Sequence, residues 1–438
     1  MDRFDIGLIM FFGALALAAA RLSVAGSMLL AGGLGYAAIN GWGPLLSTMK
    51  TMTFSRFSNY SLSVLPFFLL MGEFATRGGM NSQLYRAART FFGHLRGGLA
   101  IATIGGCGAF SAISGSSLAT AATMSQVALP EMRKAGYSGA LATGTLAAGG
   151  TLGILIPPSI ILVIYAIYTE RSVGALFVAA IIPGLIALVQ YMLVVSIYAY
   201  IRPQAAPRAP RADWNERLSA LRDIWPIGIV FAVVITGIYR GWFSPTEGAA
   251  VGAFVTMLIA MIQGGMRWKG IVESALSAGT ISAMMFLIML SSELFSSALA
   301  LSQLPTELAR WVAGLNYNPY IILLCIILIY FALGTFMESL AMVLLTLPVF
   351  IPMMLSLDFG MSQDAVLIWF GIIALISIEV GMISPPFGLN LFLINTLAKD
   401  VPIEDTWLGV MGFMGMDLLR ILLILFVPAT TLWLPGVS

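Results

Sequence analysis

Four serines, Ser111, Ser114, Ser116 and Ser117, fall within the short segment SAISGSS, and a double proline, Pro157-Pro158, interrupts the apolar segment GTLGILIPPS that follows. Hydroxyl oxygens are hard acceptors. So are main-chain carbonyls, and a proline frees them: it supplies no N–H and clashes with the turn before it, so two in a row unwind a helix. Inside a membrane such carbonyls must be met by protein, water or an ion. The hydroxyls of SAISGSS, set against the carbonyls of Gly153–Pro158, suit a cation such as Na⁺ without burying a full charge. A second segment, GMISPPFGLN, carries Pro385-Pro386, and there Gly334, Thr335, Gly381 and Ser384 are the matching residues. Small residues also serve close helix packing in membranes. Paired breaks in both halves of a chain point instead to a mid-membrane binding site.

Other candidates carry charge. Glu338 lies in LGTFMESLAM and Glu379 just before the second break. An unpaired intramembrane acid is costly, so each either pairs within the helix bundle or caps a helix, or else meets a substrate amine, a Na⁺ or a proton. Glu73, Glu293 and Asp417 read as structural partners. Arg56, in the polar stretch SRFSNYS, and Lys50 just before it either hold an anionic substrate or anchor an interface. Cys107 and Cys325 sit in apolar runs and behave as small hydrophobes. His94 is the single histidine, which excludes a multi-histidine metal centre. No nucleotide-binding lysine loop, HExxH or nucleophile elbow is present, so the chain does not read as an enzyme, and an ion gradient is the energy source left to it.

The elements that must position these residues are membrane helices. The 438-residue chain is 59% hydrophobic and 10% charged, against about 25% charged in soluble domains. Long apolar runs without period-two alternation exclude a β-barrel, so the fold class is an all-α polytopic membrane protein. Its main partner is the lipid bilayer, and a net charge of +2 gives no ground for nucleic acid. Phe4–Ala20 is expected to be a retained first helix, because Asp2, Arg3 and Asp5 are wrong for a signal n-region. Lys and Arg collect at Arg77–Arg96, Arg133–Lys134, Arg202–Arg222 and Arg267–Lys269, which places those segments on the cytoplasmic side. Between Arg96 and Glu131 lie 34 uncharged residues, too few for two full spans, which need about 20 residues each plus a turn. A re-entrant hairpin from the cytoplasm fits. Between Arg310 and Asp358, 47 residues carry only Glu338, and no basic residue follows until Lys399; this second hairpin enters from the outer face. Ser117-Leu118-Ala119 recurs as Ser339-Leu340-Ala341, and Pro130 as Pro352, each 222 residues on; Pro157-Pro158 recurs 228 residues on. Hairpin, helix and break thus occur twice with opposite sidedness, an inverted repeat of the kind found in ion-coupled carriers.

The expected organisation follows. Residues 1–76 are scaffold helices. Residues 77–200 hold the first repeat, with a hairpin at about 97–130 and a broken helix at about 138–168. Residues 201–223 form a cytoplasmic linker with an interfacial helix, on which Trp214, Leu218 and Leu221 share a face. Residues 224–310 are further scaffold or arm helices. Residues 311–398 hold the second repeat, with a hairpin at about 319–354 and a broken helix at about 365–397, and 399–438 a C-terminal membrane helix. Ser244-Pro245-Thr246-Glu247 reads as a capping box.

With these blocks on the page, GGLAIATIGGCGAFSAISGSSLATAATMSQVALPEMRKAGYS, LGILIPPS, LGTFMESLAMVLLTLPVFIP and GMISPPFGLNLFLI, the chain resembles the large membrane (M) subunit of tripartite ATP-independent periplasmic (TRAP) transporters over nearly its whole length. The resemblance implies an elevator-type transporter with a scaffold and a two-hairpin transport domain. It implies two or more coupling Na⁺ ions, a small membrane (Q) subunit as a separate chain, an extracytoplasmic substrate-binding protein and a small organic anion as substrate. It places the first Na⁺ near Ser111, Ser114, Gly153, Ile156 and Pro158, and the second near Gly334, Gly381, Ser384 and Phe387, several through main-chain oxygens. Substrate is then expected against Ser116, Ser117, Thr335, Glu338, Ser339 and Asn390. Glu338 and Ser384 stand where Asp and Thr are the commoner expectation, and both keep the oxygen chemistry. The implied location is the cytoplasmic membrane of a bacterium or archaeon. A stand-alone Na⁺/carboxylate symporter is the rival reading, and a channel or structural membrane subunit a third.

Overall fold

Serines start many of the helices. The side chains of Ser23, Ser116, Ser138, Ser159, Ser172, Ser244 and Ser362 each accept a hydrogen bond from the N–H three residues on, satisfying a donor that the first turn leaves orphaned. The computed structural model describes residues 2–315 and 317–437. In chain order the helices are α1 (Arg3–Ala19), α2 (Val24–Asn40), α3 (Trp42–Phe57), α4 (Val64–Arg77), α5 (Met80–Phe92), α6 (Gly98–Ser114), α7 (Ser117–Lys134), α8 (Gly139–Leu155), α9 (Ile160–Thr169) and α10 (Val173–Ile201). There follow α11 (Trp214–Tyr239), α12 (Pro245–Ile262), α13 (Trp268–Ser302), α14 (Leu304–Gly314), α15 (Pro319–Gly334), α16 (Ser339–Leu355), α17 (Gln363–Met382), α18 (Leu389–Leu397), α19 (Ile403–Phe426) and α20 (Ala429–Leu432). Among the described residues there is no strand, and seven helical stretches are long and apolar enough to cross a membrane.

The two broken helices are the innermost elements. α8–α9 and α17 are buried almost throughout, whereas α11, α12, α13 and α19 bury less than half of their apolar length. The exposed remainder is hydrophobic, including Leu258, Leu276, Leu287 and Leu408, which suits a surface solvated by lipid. Around the centre, α6–α7 pack on α8, and α15–α16 on α17. α10 and α19 close over both. A second body consists of α2 along α13, α4 along α12, and α11 against α5 and α12. Close approach there uses small residues: a side chain at Gly32 would strike the Phe295 backbone.

The two halves repeat in the order hairpin, broken helix, long helix: α6–α7, α8–α9, α10, then α15–α16, α17–α18, α19. A short amphipathic helix precedes each hairpin, α5 in the first half and α14 in the second. That extends the repeat further toward the N-terminus than the sequence pattern suggests.

One boundary is corrected. The linker expected over 201–223 ends at Asp213, and the helix from Trp214 runs without interruption to Tyr239. No breaker separates the amphipathic turns from the apolar ones, and Pro226 is absorbed within the helix. Trp214, Leu218 and Leu221 do share the outward face. Arg217 turns inward over the rings of Phe91 and Trp214, at 5.8 and 5.2 Å.

Candidate functional site

The tip of the first hairpin lies against the first break. Gly115 ends α6 in the left-handed region, φ 61°, which only glycine adopts without strain. A side chain there would also sit 3.0 Å from the Pro158 carbonyl oxygen. The Gly115 carbonyl accepts the Ile160 N–H at 3.4 Å, tying tip to break through main chain. Across the same contact, a side chain at Gly153 would strike the backbone of Ser116 and Ser117.

The break spans Ile156–Ser159, with Pro157-Pro158 joined by a cis peptide bond. Pro157 has no N–H to give the Gly153 carbonyl, nor Pro158 to give Ile154. Ser159 repairs one loss, its Oγ donating to the Ile154 carbonyl at 2.5 Å. The Gly153 carbonyl is thereby freed at the point of contact with the tip. Ser111 Oγ donates back to the Cys107 carbonyl at 2.6 Å, and Ser114 Oγ pairs with Thr120 Oγ1 at 2.7 Å. These bonds leave lone pairs on both buried hydroxyls. Thr120 is a site neighbour that sequence reasoning passed over, although it directly follows Ser117-Leu118-Ala119.

The second tip and break meet in the same manner. A Cβ at Gly334 would lie 2.8 Å from the Gly381 Cα, and one at Gly381 would lie 2.6 Å from the Gly334 Cα. After Gly381 the chain tightens: Ile383 N–H donates to the Val380 carbonyl at 3.2 Å, Ser384 N–H to Gly381 at 3.1 Å and Ser384 Oγ to Val380 at 2.6 Å. Pro385-Pro386 is again cis. Phe387 is exposed, its ring stacked on Phe392 at 6.5 Å; any ligand role rests on its main chain. Thr335 donates to the Ala332 carbonyl at 2.8 Å. Glu338 is half-buried and caps α16, accepting the Ala341 N–H at 3.4 Å. Ser339 is buried beside it.

The two halves also meet each other. Ser117 Oγ, on the first tip, donates to Met382 Sδ at the second break, 3.7 Å away. Asn390, at the start of α18, donates through Nδ2 to the Ala147 carbonyl of α8 at 3.2 Å. Its Oδ1 is buried with no hydrogen-bond partner among the described residues. Ser116 is half-buried and caps α7.

Of the other charged candidates, all but Lys50 are paired. Arg56 bridges to Glu293, and Glu73 to Arg77 at 3.6 Å with Ser277 donating to it at 2.9 Å. Lys50 is exposed. Beneath the second break lies a network wholly shielded from solvent. Arg420 Nη2 reaches Glu379 at 3.0 Å and Asp417 at 2.9 Å, all three side chains having 0% exposure. Tyr191 OH donates to Asp417 at 2.8 Å and pairs with Thr151 at 3.2 Å. The network joins α17, α19, α10 and α8. Only Asp417 and Glu379 drew notice from sequence. Arg420 was the available signal: a cation inside an apolar helix, three residues after an acid.

The chain matches, over residues 10–430, the family described as tripartite ATP-independent periplasmic transporter, DctM component. It is 37% identical to the C4-dicarboxylate TRAP transporter large permease protein DctM of Pseudomonas aeruginosa, over 87% of this chain and 88% of that one. It is 32% identical to the ectoine TRAP transporter large permease protein TeaC of Halomonas elongata, over 98% and 96% respectively. Among solved structures it resembles the Alcanivorax borkumensis YdaH transporter, with a TM-score of 0.61 and 15% identity over 88% of this chain and 89% of that one. At that identity the likeness is one of fold.

Proposed function

Because the chain belongs to the DctM-component family of tripartite ATP-independent periplasmic transporters, we propose that this multi-pass large permease imports a small organic acid with Na⁺ as the coupling ion. The observation that carries the coupling is the meeting of two hairpin tips with two broken helices. The first Na⁺ is assigned to Ser111, Ser114 and the main-chain oxygens of Gly153, Ile156 and Pro158. The second is assigned to Gly334, Gly381, Ser384 and Phe387. Carbonyls and hydroxyls at hairpin tips and broken helices are the oxygen donors that coupling ions use in transporters of this construction. Substrate lies between the ions, against Ser116, Ser117, Thr335, Glu338, Ser339 and Asn390, where the free Asn390 Oδ1 supports the assignment.

Carriage follows an elevator-type scheme. The body that moves in this scheme is formed by the tips and breaks, and its hairpins border α2, α4 and α13. Substrate arrives from an extracytoplasmic binding protein, and a small membrane subunit on a separate chain completes the assembly in the bacterial cytoplasmic membrane. Two relatives name different substrates, a C4-dicarboxylate and ectoine, so selectivity resides in the binding protein and in the residues between the tips. Proteoliposome uptake under imposed Na⁺ or H⁺ gradients, with and without binding protein, is the test. Uptake that requires Na⁺ and the binding protein is expected. Uptake by this chain alone, or driven equally by H⁺, would overturn the assignment.

A further inference from the structure

Away from the breaks, a cleft of about 730 Å³ opens between α9, the corner joining α3 to α4, and the start of α12. Its side of the membrane follows from charge. α4 ends at Arg77, α10 ends beside Arg202 and α13 begins beside Arg267, all in the basic, cytoplasmic clusters. The cleft lies at the opposite ends of these helices, on the outer face. Its volume falls within the range of small-molecule sites.

The lining has a definite chemistry. Arg56 and Arg171 both face it, together with one carboxylate, Glu170, and the polar groups of Asn59, Ser61, Tyr168 and Ser296. Each guanidinium already holds a carboxylate of this chain: Arg56 holds Glu293, and Arg171 holds Asp364. A planar guanidinium fork matches a carboxylate geometrically, so the two internal acids show what each arginine is placed to receive. Arg171 Nε has no partner among the described residues. Both pairs are partly exposed, so solvent screens them and an arriving anion can compete. Arg56, Ile167 and Tyr168 also line a separate, water-sized gap of about 20 Å³ beside Ser292 and Glu293 of α13 and Leu344 of α16.

We infer that this cleft is an outer reception site for the organic anion, in which Arg56 and Arg171 exchange their internal carboxylates for that of the arriving molecule. The inference rests on the reading that an organic acid is imported. Its test does not depend on transport.

Ser61 is exposed within the cleft, so Ser61→Cys, in full-length protein with Cys107→Ala and Cys325→Ala, offers a reporter in right-side-out vesicles without Na⁺. We expect the anionic reagent 2-sulfonatoethyl methanethiosulfonate to label it about tenfold faster than its trimethylammonium counterpart, relative to the ratio for a small free thiol. Adding Arg56→Gln or Arg171→Gln should bring the ratio toward that of the free thiol. The Ser61→Cys ratio stands alone should either arginine variant fail to fold. Equal labelling by both reagents, faster labelling by the cation, or labelling only from the cytoplasmic side would overturn the reception site while leaving Na⁺-coupled uptake untouched. Loss of carboxylate uptake with the anionic preference intact would instead overturn the transport reading.

Discussion

Replacing Arg420 by methionine removes the only cation from a wholly buried cluster. Its Nη2 serves Glu379 at 3.0 Å and Asp417 at 2.9 Å, so the change leaves two carboxylates without their counter-charge. Breaking a buried ion pair from one side costs about 3–5 kcal/mol. Neutralising all three, as Glu379→Gln/Asp417→Asn/Arg420→Met, removes the stranded charges and should recover most of that loss, since replacing a complete buried ionic set is often close to neutral. The four-helix junction of α8, α10, α17 and α19 is the structure at stake. Thermal unfolding of the purified protein in detergent, followed by tryptophan fluorescence, reads the effect; Trp369 lies in α17 and Trp407 in α19. The single variant should unfold at a clearly lower temperature, and the triple variant should return most of the way. Arg420→Met within about 1 kcal/mol of the parent, or a triple variant no better than the single one, would refute the reasoning.

Three further outcomes follow from the site. Gly334→Ala places a methyl 2.8 Å from the Gly381 Cα. Overpacking of that kind costs about 1–3 kcal/mol, and spent on ion affinity it raises the half-saturating Na⁺ concentration about tenfold; an unchanged Na⁺ dependence would separate the second tip from the ion. Ser114→Ala loses the 2.7 Å bond to Thr120, about 1 kcal/mol, and should weaken Na⁺-dependent uptake about fivefold without lowering protein abundance. Tyr168 and Ser296 touch across α9 and α13 at 3.2 Å. Joining cysteines at these two positions with a short cleavable cross-linker, with Cys107 and Cys325 replaced by alanine, should stop uptake until the linker is cut. Undiminished uptake by fully cross-linked protein would rule out sliding of the hairpin body along the scaffold.

Much of the candidate site was legible because each feature is local. A double proline breaks a helix wherever it falls, and SAISGSS between uncharged arms announces a hairpin tip. The pairing of Gly334 with Gly381 was also within reach, since the order hairpin, helix, break occurs twice. What escaped depends on contacts between distant residues. Arg420 and Tyr191 lie 229 residues apart, and no spacing rule brings them together. The linker boundary at residue 223 was misplaced because a membrane helix can absorb Pro226 when its neighbours satisfy the freed backbone. α5 and α14 were missed as counterparts because their match lies in amphipathic pattern and place, without shared residues.

The coupling itself is tested most directly by measuring radioactive sodium and labelled substrate entering the same proteoliposomes, with the binding protein supplying its bound ligand. We expect sodium to enter with substrate, at least two ions for each molecule, and Gly334→Ala to reduce both fluxes together. Substrate accumulation with no accompanying sodium movement would contradict two ion sites built from hairpin tips and broken helices.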